Sequence, residues 1–239
     1  MNKKTLTLAL AAVAGIAAGH AQIARVSTPE PILKGQESEM YNPVMSKDGS
    51  TLLFSDVDHT NLRSYDLQAG VVSAVKATSK EAMTAQFDKA GKVVFSSPVV
   101  EAKGSTIIIN GKSYSPVPSY AGYTWESVSP DGKKVMFFAA GVGIIVTDLN
   151  GNIIASPGKY EAPVWFGNNH IVAQNATDDG HQYHSSHIVL LNLDGSEVQE
   201  LTKPESMTFS PAASAEAGKV VYSTIDGRLY QVNIELINK

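Results

Sequence analysis

The chain has 239 residues, no cysteine, and a formal net charge of −4 from 19 basic and 23 acidic side chains. Without cysteine there can be no disulfide, thiol nucleophile, thiolate metal site or lipid-modified cysteine. The acidic balance argues against nucleic acid or an anionic membrane as a general partner, since both select clustered Lys and Arg.

The first segment, MNKKTLTLALAAVAGIAAGHAQ, has a charged head (Lys3, Lys4), an apolar run from Leu6 to Ala18, and small residues at Gly19 and Ala21. That order predicts a secretory signal peptide over 1–21, because the apolar run is too short to span a bilayer. Losing Lys3 and Lys4 leaves 17 basic and 23 acidic residues, a mature net charge of −6. No later apolar run is long enough for a membrane span, so membrane insertion is not expected.

From residue 40 onward one unit recurs: NPVMSKDGSTLLFS (42–55), TAQFDKAGKVVFSS (84–97), ESVSPDGKKVMFFA (126–139), APVWFGNNHIVAQ (162–174) and SPAASAEAGKVVYS (210–223). With Ser46, Asp88, Ser129, Phe166 and Ser214 equivalent, the steps are 42, 41, 37 and 48 residues. A strand enters a turn of the Ser-Pro-Asp-Gly type. The chain then reverses into a β-branched and aromatic strand such as LLF or VMFF. A third strand ends in its own tight turn, as in IIVTDLNGN and IVLLNLDGS. A weaker, more polar fourth strand follows, which suits an edge near water. Four strands per unit at a period of about 40 residues predict a β-propeller. The fold class expected is therefore all-β: one five-bladed propeller over 22–239, with blades near 40–77, 82–118, 123–157, 161–202 and 206–235. Six blades is the alternative.

The last unit has three clear strands and stops. LKGQESEMYNP (33–43) parallels LTKPESMTFSP (201–211), and Leu201 ends an outer strand. By analogy residues 29–34 should supply the outer strand of the last blade and remove a free sheet edge.

The stretches SPDGKKVMFF, MSKDGSTLLFS, YDLQAG and LNLDGSEVQELT resemble the WD40-like Asp-repeat of TolB-like periplasmic proteins, and the likeness runs along nearly all of the mature chain. The resemblance implies a propeller fold and export from a Gram-negative cytoplasm to the periplasm, with secretion or surface display as alternatives. The family's separate N-terminal domain and sixth blade have no counterpart here, so its role in an envelope-spanning complex is not carried over.

Asp48, Asp131, Asp194 and Asp226 each precede a glycine and are read as turn residues rather than catalysts. ATDDGHQYHSSH (176–187) places His181, His184 and His187 beside Asp178 and Asp179, residue types that can hold zinc or a similar ion. Their three-residue spacing alternates faces on a strand, so no metal or cofactor is assigned. Glu39, Glu81, Glu126, Glu161 and Glu205 each precede an inner strand, but only Glu39 and Glu81 share register. Tyr41, Trp125, Trp165 and Phe209 are expected mainly to pack blade against blade. SYSPVPSYAGYTW (113–125) is a Tyr- and Pro-rich connection suited to protein contact. No Gly-x-Ser-x-Gly elbow and no identifiable carboxylate pair point to hydrolysis.

These readings predict a non-catalytic exported module that presents contacts from rigid strands to a protein or small-molecule ligand, through one face or the channel mouth. The contact residues expected are Tyr120, Tyr123, Trp125, Glu126, His181 and His184. The competing class is a propeller enzyme: a carbohydrase, or a metal-dependent lyase or hydrolase.

Overall fold

The computed structural model describes residues 23–33, 39–118, 122–196 and 198–237. The expected leader (1–21), Lys34 of the expected closing strand and Tyr120 lie outside the described residues.

The chain is nearly all β, arranged in antiparallel sheets. Two short strands lead, β1 (Ala24–Val26) and β2 (Glu30–Pro31). Sheet I is the meander β3 (Tyr41–Met45), β4 (Thr51–Ser55), β5 (Arg63–Asp66) and β6 (Val71–Ala74). A five-residue helix, α1 (Ser79–Met83), precedes sheet II, a ribbon of β7 (Gln86–Phe87) and β8 (Val93–Val94). Sheet III holds β9 (Val100–Lys103), β10 (Thr106–Ile109) and β11 (Lys112–Tyr114). Sheet IV is the meander β12 (Tyr123–Val128), β13 (Lys134–Ala139), β14 (Gly143–Asp148) and β15 (Ile153–Gly158). Sheet V repeats it with β16 (Glu161–Phe166), β17 (His170–Asp178), β18 (Tyr183–Asn192) and β19 (Val198–Glu200). Sheet VI comprises β20 (Thr208–Ser214), β21 (Lys219–Thr224) and β22 (Leu229–Leu236). Its free edge is taken by the start of the chain: β1 pairs β22 at Ala24↔Leu236 and Val26↔Ile234, and β2 pairs it at Glu30↔Gln231.

Period-two alternation explains the core. Side chains from one strand point alternately at the two neighbouring sheets. Leu52 and Phe54 meet Ala212, Val221 and Leu229 of sheet VI, whereas Leu53 between them meets the side of sheet II. Val135 and Phe137 face sheet III, whereas Met136 joins Ile171, Ala173, Val189 and Leu191 of sheet V. Val172, Ile188 and Leu190 turn the other way, onto Val220, Tyr222 and Val232 of sheet VI. The core is thus a set of apolar seams joining sheet I to II, III to IV, IV to V and V to VI, and one more joins the last sheet to the first.

The segment 82–118 departs from the expected single four-stranded unit and forms two sheets. Pro98 has no N–H for a ladder, and the Ser97 hydroxyl accepts from Val99 and Val100 N–H at 3.2 Å each, turning the chain. VEAK then forms a hairpin with TIII, so β10 pairs β9 instead of β8. The helix α1 is a second departure, since no helix was expected after the leader. Thr78 and Glu81 form a reciprocal capping box: Thr78 N–H donates to Glu81 Oε2 at 2.7 Å, and Glu81 N–H donates to Thr78 Oγ1 at 3.3 Å. That engagement occupies the Glu81 carboxylate.

Candidate functional site: one face of the sheets

Each meander has two ends. First-to-second and third-to-fourth turns lie at one end. The starts of the inner strands and the second-to-third turns lie at the other, called the mouth face here. Neighbouring sheets meet end to like end. On the turn face, Ser214 Oγ donates to Lys47 O at 2.6 Å and Asp131 N–H to Asn168 Oδ1 at 3.0 Å. On the mouth face, Tyr41 Oη donates to Ile225 O at 3.1 Å and the Tyr183 and Phe209 rings lie 5.2 Å apart.

The turn face is occupied by its own hydrogen bonds. Asp48 accepts from Ser46 Oγ at 2.7 Å and Ser50 N–H at 3.1 Å, and Asp131 accepts from Ser129 Oγ at 2.6 Å. Those serine hydroxyls are the main cause holding both carboxyls below the ordinary Asp value.

The mouth face carries turns of the same kind, with Asp58 accepting from Thr60 Oγ1 at 2.6 Å and Asp179 from Gln182 N–H at 2.9 Å, and it adds exposed apolar side chains. Val57, Met83, Trp125, Tyr183 and Ile225, between 44% and 65% exposed, all sit in its turns, connections or strand starts. The other large apolar side chains exposed among the described residues are Val71 and Ile153, at the turn-face starts of the outer strands β6 and β15, Ile154 beside the latter, and Ile237.

A repeated strain accompanies this face. Asn42, Trp125, Ala162 and Ser210 have positive φ of 53°, 53°, 44° and 48°. Each lies four residues before the equivalent positions Ser46, Ser129, Phe166 and Ser214. Each also falls within a register shift of its inner strand: Tyr41/Val44, Thr124/Ser127, Glu161/Val164 and Phe209/Ala212. These are β-bulges that bend the inner strand as it leaves the mouth and re-aim its side chains. None is glycine, so each costs conformational energy, a feature that gathers at working surfaces.

A polar group also lies where sheets V and VI meet. Glu161 and Gln174 are paired across β16 and β17, and Gln174 Nε2 donates to Glu161 Oε2 at 3.3 Å. Gln174 is 4% exposed, and its Oε1 accepts from Ser210 N–H at 3.1 Å, so it fixes both the carboxylate and the neighbouring bulge. Beneath it, Ser186 Oγ donates to Thr208 O at 2.7 Å. Burial, then the charge of Asp178, pushes Glu161 above its ordinary value. Burial, then Glu161 and Asp178, pushes the Tyr183 phenol up, with Gln174 opposing.

The expected contact residues fare unequally. Trp125 is exposed, its ring edge-on to Phe138 at 5.3 Å. Tyr123 is a correction: it is 5% exposed, lies 4.5 Å from the Phe137 ring and donates its hydroxyl to Val117 O, so it packs sheets III and IV together. Glu126 Oε1 accepts from Ala102 N–H at 3.1 Å and staples the same two sheets. His181 sits in the turn between β17 and β18, its N–H donating to Asp179 Oδ1 at 2.9 Å. His184 Nε2 lies 3.4 Å from Asp179 Oδ2 on the surface. His187 is buried, Nε2 3.8 Å from Glu200 Oε1, and burial lowers its pKa. Asp178 caps its own turn by accepting from Gly180 N–H at 2.8 Å. The three histidines therefore separate, and no group of three or more metal-ligating side chains occurs among the described residues. Trp165 is buried as expected, in the seam between sheets IV and V. Gln174, Tyr183 and the strained bulges escaped sequence reading. Gln174 sits mid-strand in an apolar run, and only Asn42 among the bulge residues belongs to a type that tolerates positive φ.

No family model matches the chain, and no curated protein matches it. Solved structures similar to it include the β-propeller domain of Cps50 (Swd1) from Myceliophteria thermophila, with TM-score 0.53 and 11% identity over 87% of this chain and 100% of that one. A calcium-binding protein, regucalcin, from Agrobacterium tumefaciens gives TM-score 0.51 and 12% identity over 85% and 94%. TolB from Acinetobacter baumannii gives TM-score 0.43 and 15% identity over 82% of this chain; the chain spans about half of that protein, 54%. At such identities the likeness is one of fold, and the fold it shows is the β-propeller.

Proposed function

We propose that this chain is a non-catalytic, exported propeller module that binds a protein or small ligand through its mouth face. The observation carrying the reading is the gathering of Val57, Met83, Trp125, Tyr183 and Ile225 on that face, against Val71 and Ile153 at the opposite end. The mechanism is rigid display, in which seams between sheets fix the bulges and the bulges aim the contacts. In this reading the sheets close into a ring of five sectors. Sheets II and III share the sector of residues 82–118, and β1 and β2 complete sheet VI. Cleavage after the leader releases the module in the periplasm.

Photo-crosslinking amino acids placed at 57, 183 and 225, and at the exposed turn-face positions 47 and 133, test the binding reading in producing cells. Specific adducts from the first set alone are expected; adducts from the second set alone, or none, refute it. Mass spectrometry of the mature N-terminus tests the export reading, with a start near residue 22 expected.

A further inference from the structure

We propose that the junction of sheets V and VI on the mouth face is a subsite for an organic cation, an alkylammonium or guanidinium group on an apolar stem. The inference rests on the mouth-face reading and names the chemistry of one part of it.

Three observations converge. First, the Glu161 carboxylate is held in place. Gln174, itself almost wholly buried, donates to Glu161 Oε2 and accepts from Ser210 N–H, so the anion keeps its position without spending conformational freedom on binding. Second, an aromatic wall stands beside it. Tyr183 pairs with Asp178 across the β17–β18 hairpin and leans on Phe209 at 5.2 Å and 59°, leaving part of the ring open. Third, the charge is uncompensated. Of the seven ion pairs among the described residues none includes Glu161 or Asp178; Arg63 is committed to Asp56 at 2.7 Å and Arg228 to Asp226 at 3.1 Å. A half-buried carboxylate without a counter-ion is costly, and a cation from outside relieves that cost. Aromatic faces attract the same cation and its carbon stem. A neutral polyol would satisfy the hydrogen bonds and leave the charge unanswered.

The test is calorimetric titration of the whole mature protein. The probes are N-acetyl-arginine amide, choline, the peptide acetyl-Gly-Arg-Gly-amide, and two neutral controls, N-acetyl-norleucine amide and maltose. Binding of the cations but not the controls is expected, and E161Q and D178N should each weaken it by about tenfold. Y183F keeps the aromatic face and retains binding; Y183L loses it. Lys133→Gln, on the turn face, serves as the folded reference, and circular dichroism confirms that each variant is folded. Tighter binding of the peptide than of the amide assigns the cation to a protein partner, and equal binding assigns it to a free amine. Equal binding of arginine amide and norleucine amide, binding of maltose alone, or full retention in E161Q overturns the inference. If cations fail while crosslinks from 57 and 225 persist, this subsite is wrong and the mouth-face reading stands; loss of both removes both.

Discussion

Replacing Gln199 with leucine should unfasten the start of the chain from the propeller. Gln199 lies on β19, the outer strand of sheet V. Its Oε1 accepts from the N–H groups of Ile23 and Ala24, both at 2.8 Å, and its Nε2 donates to Ala24 O at 2.9 Å. One side chain thus clips the first described strand, which on its other edge pairs with β22. Ile23 and Ala24 are 5% and 0% exposed, so water has little access to replace the lost acceptor. Three hydrogen bonds at about 1 kcal/mol each set the scale, and partial exposure of Gln199 lowers the sum to about 2–3 kcal/mol. Leucine keeps the volume and adds no charge, so the loss reports the hydrogen bonds. With a urea slope of about 2–3 kcal/mol/M the unfolding midpoint should fall by about 1 M. Q199E retains the acceptor and loses the donor, so its midpoint should lie between the two. Hydrogen exchange should show the amides of 24–26 and 234–236 opening before the rest. A midpoint shift below about 0.2 M in Q199L, with unchanged exchange at those amides, would refute the view that this clip fastens the chain start.

Other perturbations probe other links. Ala162 has φ of 44°, so Ala162→Gly should be neutral or stabilising by up to about 1 kcal/mol. Ala162→Val should cost more than about 1 kcal/mol, and thermal melting decides both. His187 is buried and its pKa is lowered, so its neutral form contributes stability above the unfolded value that is lost as pH falls through the folded value. H187Q should therefore flatten the loss of stability between pH 7 and 5 in urea titrations. Glu161 shifts the other way: its raised pKa makes ionisation unfavourable to folding, so E161Q should be more stable than the parent at pH 7, with the difference vanishing in acid. Phe137→Ala, at a wholly buried seam residue, should cost about 3–5 kcal/mol by denaturant unfolding. Sheet II has no fully buried residue on either strand, so the amides of Gln86, Phe87, Val93 and Val94 should exchange faster than those of Leu52–Phe54.

Much of the architecture was legible because it is local. Alternation and turn chemistry mark sheets I, IV, V and VI within a few residues of each feature; the leading strands that pair with β22 are Ala24–Val26 and Glu30–Pro31, where one strand over 29–34 was expected. Of sheet III only the strand Val100–Lys103 was missed: it follows Pro98, and its pairing with Thr106–Ile109 is backed by burial of Ile107 and Ile109 against Val135 and Phe137. The helix was missed although its capping box, Thr78 and Glu81, is written in the sequence.

The candidate site was less legible, for a different reason. Tyr123 and Trp125 stand two residues apart in one aromatic stretch, and sequence treats them alike. The bulge between Thr124 and Ser127 turns one into the seam and the other to the surface. The Glu161 group draws on strands spread from residue 161 to residue 210, and its chemistry comes from desolvation and charge across a sheet junction, quantities that exist only after packing. Sequence alone determined that the chain folds as repeated antiparallel units, because hydrogen-bonded turns and alternating faces are properties of neighbours along the chain. Which side chains face outward on the mouth, and which anion has no counter-ion among the described residues, the tertiary structure decided, because exposure and electrostatic balance belong to neighbours in space.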